Sequence, residues 1–229
     1  MNVFSFSLTP FGENGWLATL SGGDMVARAL AANAAADVLR NSSGVTDAVA
    51  GVESLILRFR PEEMTTGDAK KKLEDALRQS TSKTPASAPA IDIPVCYGGE
   101  YGPDFERLCE KLSLAPDQFI ALHSSQVYRV LTVGFAPGFA YLGPLPPALQ
   151  TGRLSTPRAH VPSGSVGVAG AMTGVYALAS PGGWPLIGRT PKKLFDPHGA
   201  APFIFTSGAA VRFVPIDEDA FKALEANPV

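Results

Sequence analysis

Tyr128-Arg-Val-Leu-Thr-Val-Gly-Phe135 decides how the second half of this chain is read. It is the first of six short runs rich in β-branched or aromatic side chains. The others are Val166-Gly-Val-Ala-Gly170, Gly174-Val-Tyr-Ala-Leu-Ala-Ser180, Leu186-Ile-Gly-Arg189, Phe203-Ile-Phe-Thr-Ser-Gly208 and Val211-Arg-Phe-Val-Pro-Ile216. Glycine and proline punctuate all of them. Many short strands with frequent turn signals predict a closed or nearly closed β-barrel.

Working outward, Ile91–Tyr97 alternates as a strand, and Pro103 and Pro116 stand where first-turn prolines open helices, here 104–112 and 117–123. A last helix is predicted over 218–226. Upstream, Ser80-Thr-Ser-Lys-Thr-Pro-Ala-Ser-Ala-Pro-Ala90 has no large apolar side chain and reads as a linker. The expected organisation is therefore a small N-terminal α+β domain, 1–79, a linker, 80–90, and a barrel domain, 91–229. In the first domain, Met25, Ala29, Ala32, Ala36 and Leu39 mark one face of a helix that Asp24 caps and Gly44 closes. A strand pair follows at 45–52 and 54–59. Thr66 then caps a helix over 68–78, where Lys71 and Asp75 are spaced for an ion pair.

Composition narrows the function. The 229 residues carry 19 basic and 21 acidic side chains, a net charge of −2 that gives no electrostatic reason to expect nucleic acid. No segment is long and apolar enough to span a membrane, and the first residues lack the pattern of a signal peptide. With two cysteines, Cys96 and Cys109, a disulfide framework is not expected and a reducing cytoplasm is. The P-loop, G-x-S-x-G and H-E-x-x-H patterns are missing, and His123, His160 and His198 lack metal-ligand spacing. No protein-held metal is expected. Gly164, Gly167 and Gly170 do not form the dinucleotide fingerprint; their spacing fits relief of crowding in a strand and its turns.

One stretch departs from the average. Between Gln118 and Phe195 there is no Asp or Glu, yet Arg129, Arg153, Arg158, Arg189, Lys192 and Lys193 fall there. Positive side chains without acids attract carboxylate or phosphate, and arginine does so with a two-pronged donor. The alternative is that these cations are solvated.

Within this stretch lie Val133-Gly-Phe-Ala-Pro-Gly-Phe-Ala-Tyr-Leu-Gly143, Thr156-Pro-Arg-Ala-His-Val-Pro-Ser-Gly-Ser-Val166, Ala169-Gly-Ala-Met-Thr-Gly-Val-Tyr176 and Ser180-Pro-Gly-Gly-Trp-Pro-Leu-Ile-Gly-Arg-Thr-Pro191. With Tyr97-Gly-Gly-Glu-Tyr-Gly-Pro-Asp104 and Leu122-His123, they resemble the family that contains the B subunit of 5-oxoprolinase, allophanate hydrolase subunit 1 and the sporulation-kinase inhibitor KipI. The likeness implies an α+β domain followed by a cyclophilin-like β-barrel. It implies a subunit, inactive alone, that works with an A subunit and a homologous C subunit to open 5-oxo-L-proline to L-glutamate. ATP and Mg²⁺ would serve the assembled enzyme, held mainly by partners. Inhibition of a sensor histidine kinase, or hydrolysis of allophanate or another small amide, are the alternatives. Two positions depart from the family pattern: Met172 replaces a glutamine and Ala209 an acid.

Arg158 and Arg189 are the first candidates for anion contacts in catalysis, each fixed between proline or glycine turns; capping loop carbonyls is their other use. His123 is a candidate proton carrier or a packing residue. Ser163, Ser165 and Thr173 offer hydroxyls, and Tyr176 and Trp184 rings, to a small-molecule substrate or anion. Phe135, Pro137, Gly138 and Phe139 are expected to shape a loop or a subunit interface.

Overall fold

The computed structural model describes residues 4–80, 89–199 and 201–227 and divides into two compact units, 1–86 and 87–229. Most of the sequence-predicted linker lies outside the described residues. Among those described, no helix is long and apolar enough to cross a membrane.

The first unit is an antiparallel sheet ordered β1-β2-β4-β3. Its strands are β1 (Ser5–Pro10), β2 (Gly15–Ser21), β3 (Val45–Ala50) and β4 (Ser54–Phe59). Helices α1 (Met25–Arg40) and α2 (Thr66–Gln79) contribute to the same core as Trp16, Leu55, Leu57 and Phe59. Asp24 caps α1 by accepting a hydrogen bond from the Ala27 amide at 2.9 Å. Five alanines of α1 are buried, and their small side chains let its backbone approach the sheet closely. The cap of α2 is Thr65, one residue before the expected Thr66, with Oγ1 accepting from the Asp68 amide at 3.1 Å. The helical ion pair is Lys70–Glu74 at 4.0 Å, one position before the predicted spacing.

The second unit is built on a closed barrel ordered β10-β7-β6-β13-β5-β12-β9. Its strands are β5 (Ile91–Tyr97), β6 (Tyr128–Val133), β7 (Ala140–Gly143), β9 (Ser165–Ala169), β10 (Met172–Val175), β12 (Leu186–Arg189) and β13 (Ala210–Ile216). Strand β8 (Arg158–Val161) pairs outside the barrel with β11 (Ser180–Gly182). Strand β13 lies parallel to β5, from Val211 opposite Ile91 to Ile216 opposite Cys96. Inward residues such as Val95, Val130, Leu142, Val168, Val175 and Phe213 form one core with α3 (Phe105–Leu112) and α4 (Pro116–Ser124). Each fully buried aliphatic or Phe side chain contributes about 1.5–3 kcal/mol. Helix α5 (Glu218–Ala226) lays Phe221 against Tyr101 and Cys96.

Three expectations need correction here. Phe203–Gly208 is not a strand: Phe203 makes one isolated bridge to Phe195, on which its ring stacks at 5.0 Å. The run 174–180 is split: β10 ends at Val175, the Tyr176 amide still donates to Ser165 O while its carbonyl accepts from Gly164 N, and the next strand begins at Ser180. Asp104 is the N-cap of α3 and not its first residue, and its carboxylate makes no capping bond because Arg158 and the Leu186 amide take it. Two of the three spaced glycines relieve crowding: a Cβ on Gly164 would stand 2.3 Å from Thr190 O and one on Gly167 3.1 Å from Trp184, whereas Gly170 has open space and serves a turn at φ 56°.

Candidate functional site

Polar candidates from the sequence fall into three places. His123, on α4, is wholly buried among the barrel's apolar side chains. Its Nδ1 lies 2.7 Å from the Tyr97 hydroxyl and its Nε2 lies 3.0 Å from Thr173 Oγ1. Thr173 donates to the Gly167 carbonyl at 3.1 Å, so its oxygen is left to accept from Nε2–H. The remaining lone pair on Nδ1 then accepts from the Tyr97 hydroxyl. Burial holds the imidazole down at about 3 and pushes the Tyr97 hydroxyl well up. His123 and Thr173 are thus a neutral, fully bonded pair inside the barrel, and neither lines the cleft described below.

The two arginines named as anion contacts are also engaged by the protein. Arg158 donates from Nη2 to Asp104 Oδ1 at 2.8 Å, while Asp104 Oδ2 accepts the Leu186 amide at 2.7 Å. The acid that neutralises this cation comes from outside the acid-free stretch, 54 residues away. The Nη1 of Arg158 is buried without a hydrogen bond. Arg189 places its guanidinium 4.9 Å from the Tyr101 ring centre and 5.2 Å from that of Phe221. A flat cation over two ring faces joins α5 to the barrel.

The serines follow the same pattern. Ser163 donates to the Ala177 carbonyl at 2.8 Å, and Ser165 is buried in β9. The loop amides around them are used internally: Gly164 bonds Tyr176 O at 2.7 Å, and Thr190 bonds Gly164 O at 2.9 Å.

Tyr176, Trp184, Phe135 and Phe139 do converge. With Tyr141, Arg153, Pro157, Pro181, Gly182 and Gly183 they line a cleft of about 320 Å³ on the barrel unit. Phe139 is its hub, meeting Tyr141 at 4.8 Å, Tyr176 at 4.9 Å, Phe135 at 5.5 Å and Trp184 at 5.8 Å, all edge to face. The loop between β6 and β7 closes on itself through Phe139 N to Ala136 O, 3.0 Å, and Gly134 N to Phe139 O, 3.0 Å. Gly138 turns it with φ 76°, and a Cβ there would meet Ala177 at 2.9 Å. Pro137 is exposed on the loop, whereas Phe135 is 62% exposed and adopts φ 73°, the left-handed region that a β-carbon disfavours. On the opposite wall, any β-carbon on Gly182 would lie 2.4 Å from the Tyr176 hydroxyl.

Arg153 and Tyr141 complete this cleft; the sequence places Arg153 in the acid-free cationic stretch but singles out neither as a site residue. The backbone beside Arg153 is anchored on both sides: Gly170 N bonds Thr151 O at 2.7 Å, and Leu154 N bonds Gly183 O at 2.8 Å. Its side chain is in no ion pair or hydrogen bond among the described residues. Its charge reaches the phenols: burial raises Tyr141 and Tyr176, and Arg153 opposes the rise in both. Met172, where the family resemblance suggests an amide, packs against the aromatic cluster that backs the cleft. No carboxylate lines the cleft, and among the described residues no group of three or more His, Cys, Asp or Glu side chains is placed to hold a metal ion.

Residues 6–205 match the family model of the carboxyltransferase domain, subdomain C and D. The chain belongs to this carboxyltransferase family. Its relatives are close in sequence: this chain is 44% identical over 174 residues to the B subunit of 5-oxoprolinase from Escherichia coli O157:H7, covering 76% of this chain and 79% of that protein. It is 42% identical over 154 residues to the protein of the same name from Bacillus subtilis, covering 67% of this chain and 64% of that protein. The crystal structure of TTHA0988 superposes with a TM-score of 0.75 at 34% identity, covering 89% of this chain. This carboxyltransferase-family chain spans only 40% of that longer one. The urea amidolyase of Kluyveromyces lactis shares the fold at TM-score 0.77 and 17% identity, over 99% of this chain and 16% of that one.

Proposed function

We propose that this chain is the B-type subunit of a bacterial 5-oxoprolinase, acting with A and C subunits and inactive alone. The observation that carries the reading is the 44% identity to a protein of that name, over 79% of its length. The reaction gives the geometry a role. An unstrained lactam is a poor electrophile, so its carbonyl oxygen first takes the γ-phosphoryl group of ATP, releasing ADP. One water then adds at that carbon, the ring C–N bond breaks as the nitrogen takes a proton, and an acyl phosphate remains. A second water displaces phosphate and leaves L-glutamate. Charge on the moving phosphoryl group calls for cations and Mg²⁺.

The cleft lining supplies a cation but no carboxylate, so it does not fit a Mg²⁺ site. Carboxylates for the metal and for proton transfer are accordingly assigned to partner subunits, and the chain is read as cytoplasmic, in keeping with two free, buried thiols. The test is co-expression with A and C subunits and measurement of ADP release. Release that requires both 5-oxo-L-proline and this chain is the expected result. A properly assembled complex whose ADP release ignores 5-oxo-L-proline would overturn the assignment.

A further inference from the structure

We infer that the aromatic cleft binds a small flat ring bearing a carboxylate, and that Arg153 anchors the carboxylate. This rests on the reading just given and assigns the cleft its ligand. The first ground is an imbalance of hydrogen-bonding groups. Arg153, the Tyr141 hydroxyl and the Trp184 indole N–H belong to one lining, and none is in a hydrogen bond among the described residues. All three can donate, and the lining holds no ionised acceptor to occupy them. Asp104, the acid of the adjoining hollow, is already bonded by Arg158 and the Leu186 amide.

Shape gives the second ground. Phe139, Tyr141, Tyr176 and Trp184 present ring surfaces, and Gly182 and Gly183 add no side chain between them. At about 320 Å³ the cleft is at the small end of ligand sites, suited to a five-membered ring and a charged substituent. The third ground is rigidity. Backbone bonds to Gly170 and Gly183 hold the chain on both sides of Arg153, so binding orders only its side chain.

The neighbouring hollow, lined by Arg107, Lys111 and Arg153 together with Asp104, is the competing use of the same cation. It is about 90 Å³, too small for the ring, and contains a carboxylate.

The experiment uses the assembled complex and two substrates, 5-oxo-L-proline and 2-pyrrolidinone, the same lactam without the carboxylate. Arg153→Ala is expected to raise KM for 5-oxo-L-proline about 10- to 100-fold, with kcat within about threefold, and to leave the parameters for 2-pyrrolidinone unchanged. Arg153→Lys should recover part of the loss. Arg107→Ala, which removes a cation from the adjoining hollow alone, should leave KM within about twofold. An unchanged KM in Arg153→Ala, an equal effect on both lactams, or a larger effect from Arg107→Ala overturns the inference while the subunit assignment stands. A wild-type complex with no 5-oxo-L-proline-dependent ADP release overturns both.

Discussion

The barrel unit keeps polar groups in two places and treats them oppositely. In the interior, Tyr97, His123 and Thr173 form an unbroken chain of hydrogen bonds ending on the Gly167 carbonyl. In the cleft, Arg153, Tyr141 and Trp184 are held by packing or by backbone anchors, yet their donors meet no protein acceptor among the described residues. The interior needs its bonds to exist at all, since a buried polar group without a partner costs about 1–3 kcal/mol. At the cleft the same kinds of group have no protein acceptor among the described residues, so they remain available to a ligand. Availability, more than residue type, separates a structural histidine from a binding arginine.

The largest test of this contrast is His123→Ala. It leaves a cavity and strands the buried Tyr97 hydroxyl, while Thr173 keeps its bond to Gly167 O, and should cost about 4 kcal/mol in urea unfolding of the barrel unit. A loss below about 1 kcal/mol would mean the network is dispensable. Next comes pH. The unfolded imidazole titrates near its ordinary 6.5, whereas the folded one is held at about 3. Between those values the unfolded chain binds the extra proton, so stability falls as pH drops below 6.5 and is retained above it. From pH 6.5 to 4.5 the loss attributable to His123 should be about 2–3 kcal/mol, read as the difference between wild type and His123→Gln. A difference with no pH dependence would contradict the buried neutral imidazole.

Asp104→Asn should cost less, about 1–2 kcal/mol by thermal melting, because an amide oxygen still accepts the Leu186 amide while Arg158 loses its counter-charge. The smallest effect on stability is expected from Tyr141→Phe. Removing a hydroxyl with no protein partner should change stability by less than about 0.5 kcal/mol, yet raise KM for 5-oxo-L-proline about threefold in the complex. A stability loss as large as that of Asp104→Asn would place Tyr141 with the interior rather than the cleft.

Locally encoded elements are the legible ones. Strand β5 and helix α5 have the bounds their patterns predict, and Asp24 caps α1 as expected. Strands β1, β2, β7 and β8 are not anticipated from the sequence, although in β1 Phe6 and Leu8 alternate with Ser5, Ser7 and Thr9 in a half-buried pattern. Phe203–Gly208 has strand composition, but Phe203 stacks on Phe195 and Phe205 enters the core without continuing a ladder. The candidate site is legible in its rings and not in its charges. Aromatics in the quoted motifs are brought together by adjacent strands, so motif and cleft largely coincide. Which arginine is free depends on Asp104, on the rings of Tyr101 and Phe221, and on anchors at Gly170 and Gly183, all distant in sequence.

The backbone at Phe135 carries a separate implication. Glycine takes a left-handed conformation with no steric penalty, whereas an L-residue there forfeits about 1 kcal/mol. The ring offsets part of that cost by meeting Phe139 edge to face at 5.5 Å, although it is 62% exposed. A chain tuned only for its own thermal endurance would carry glycine at this position. The left-handed turn thus spends backbone freedom to hold an aromatic side chain in the cleft lining, against the edge of Phe139.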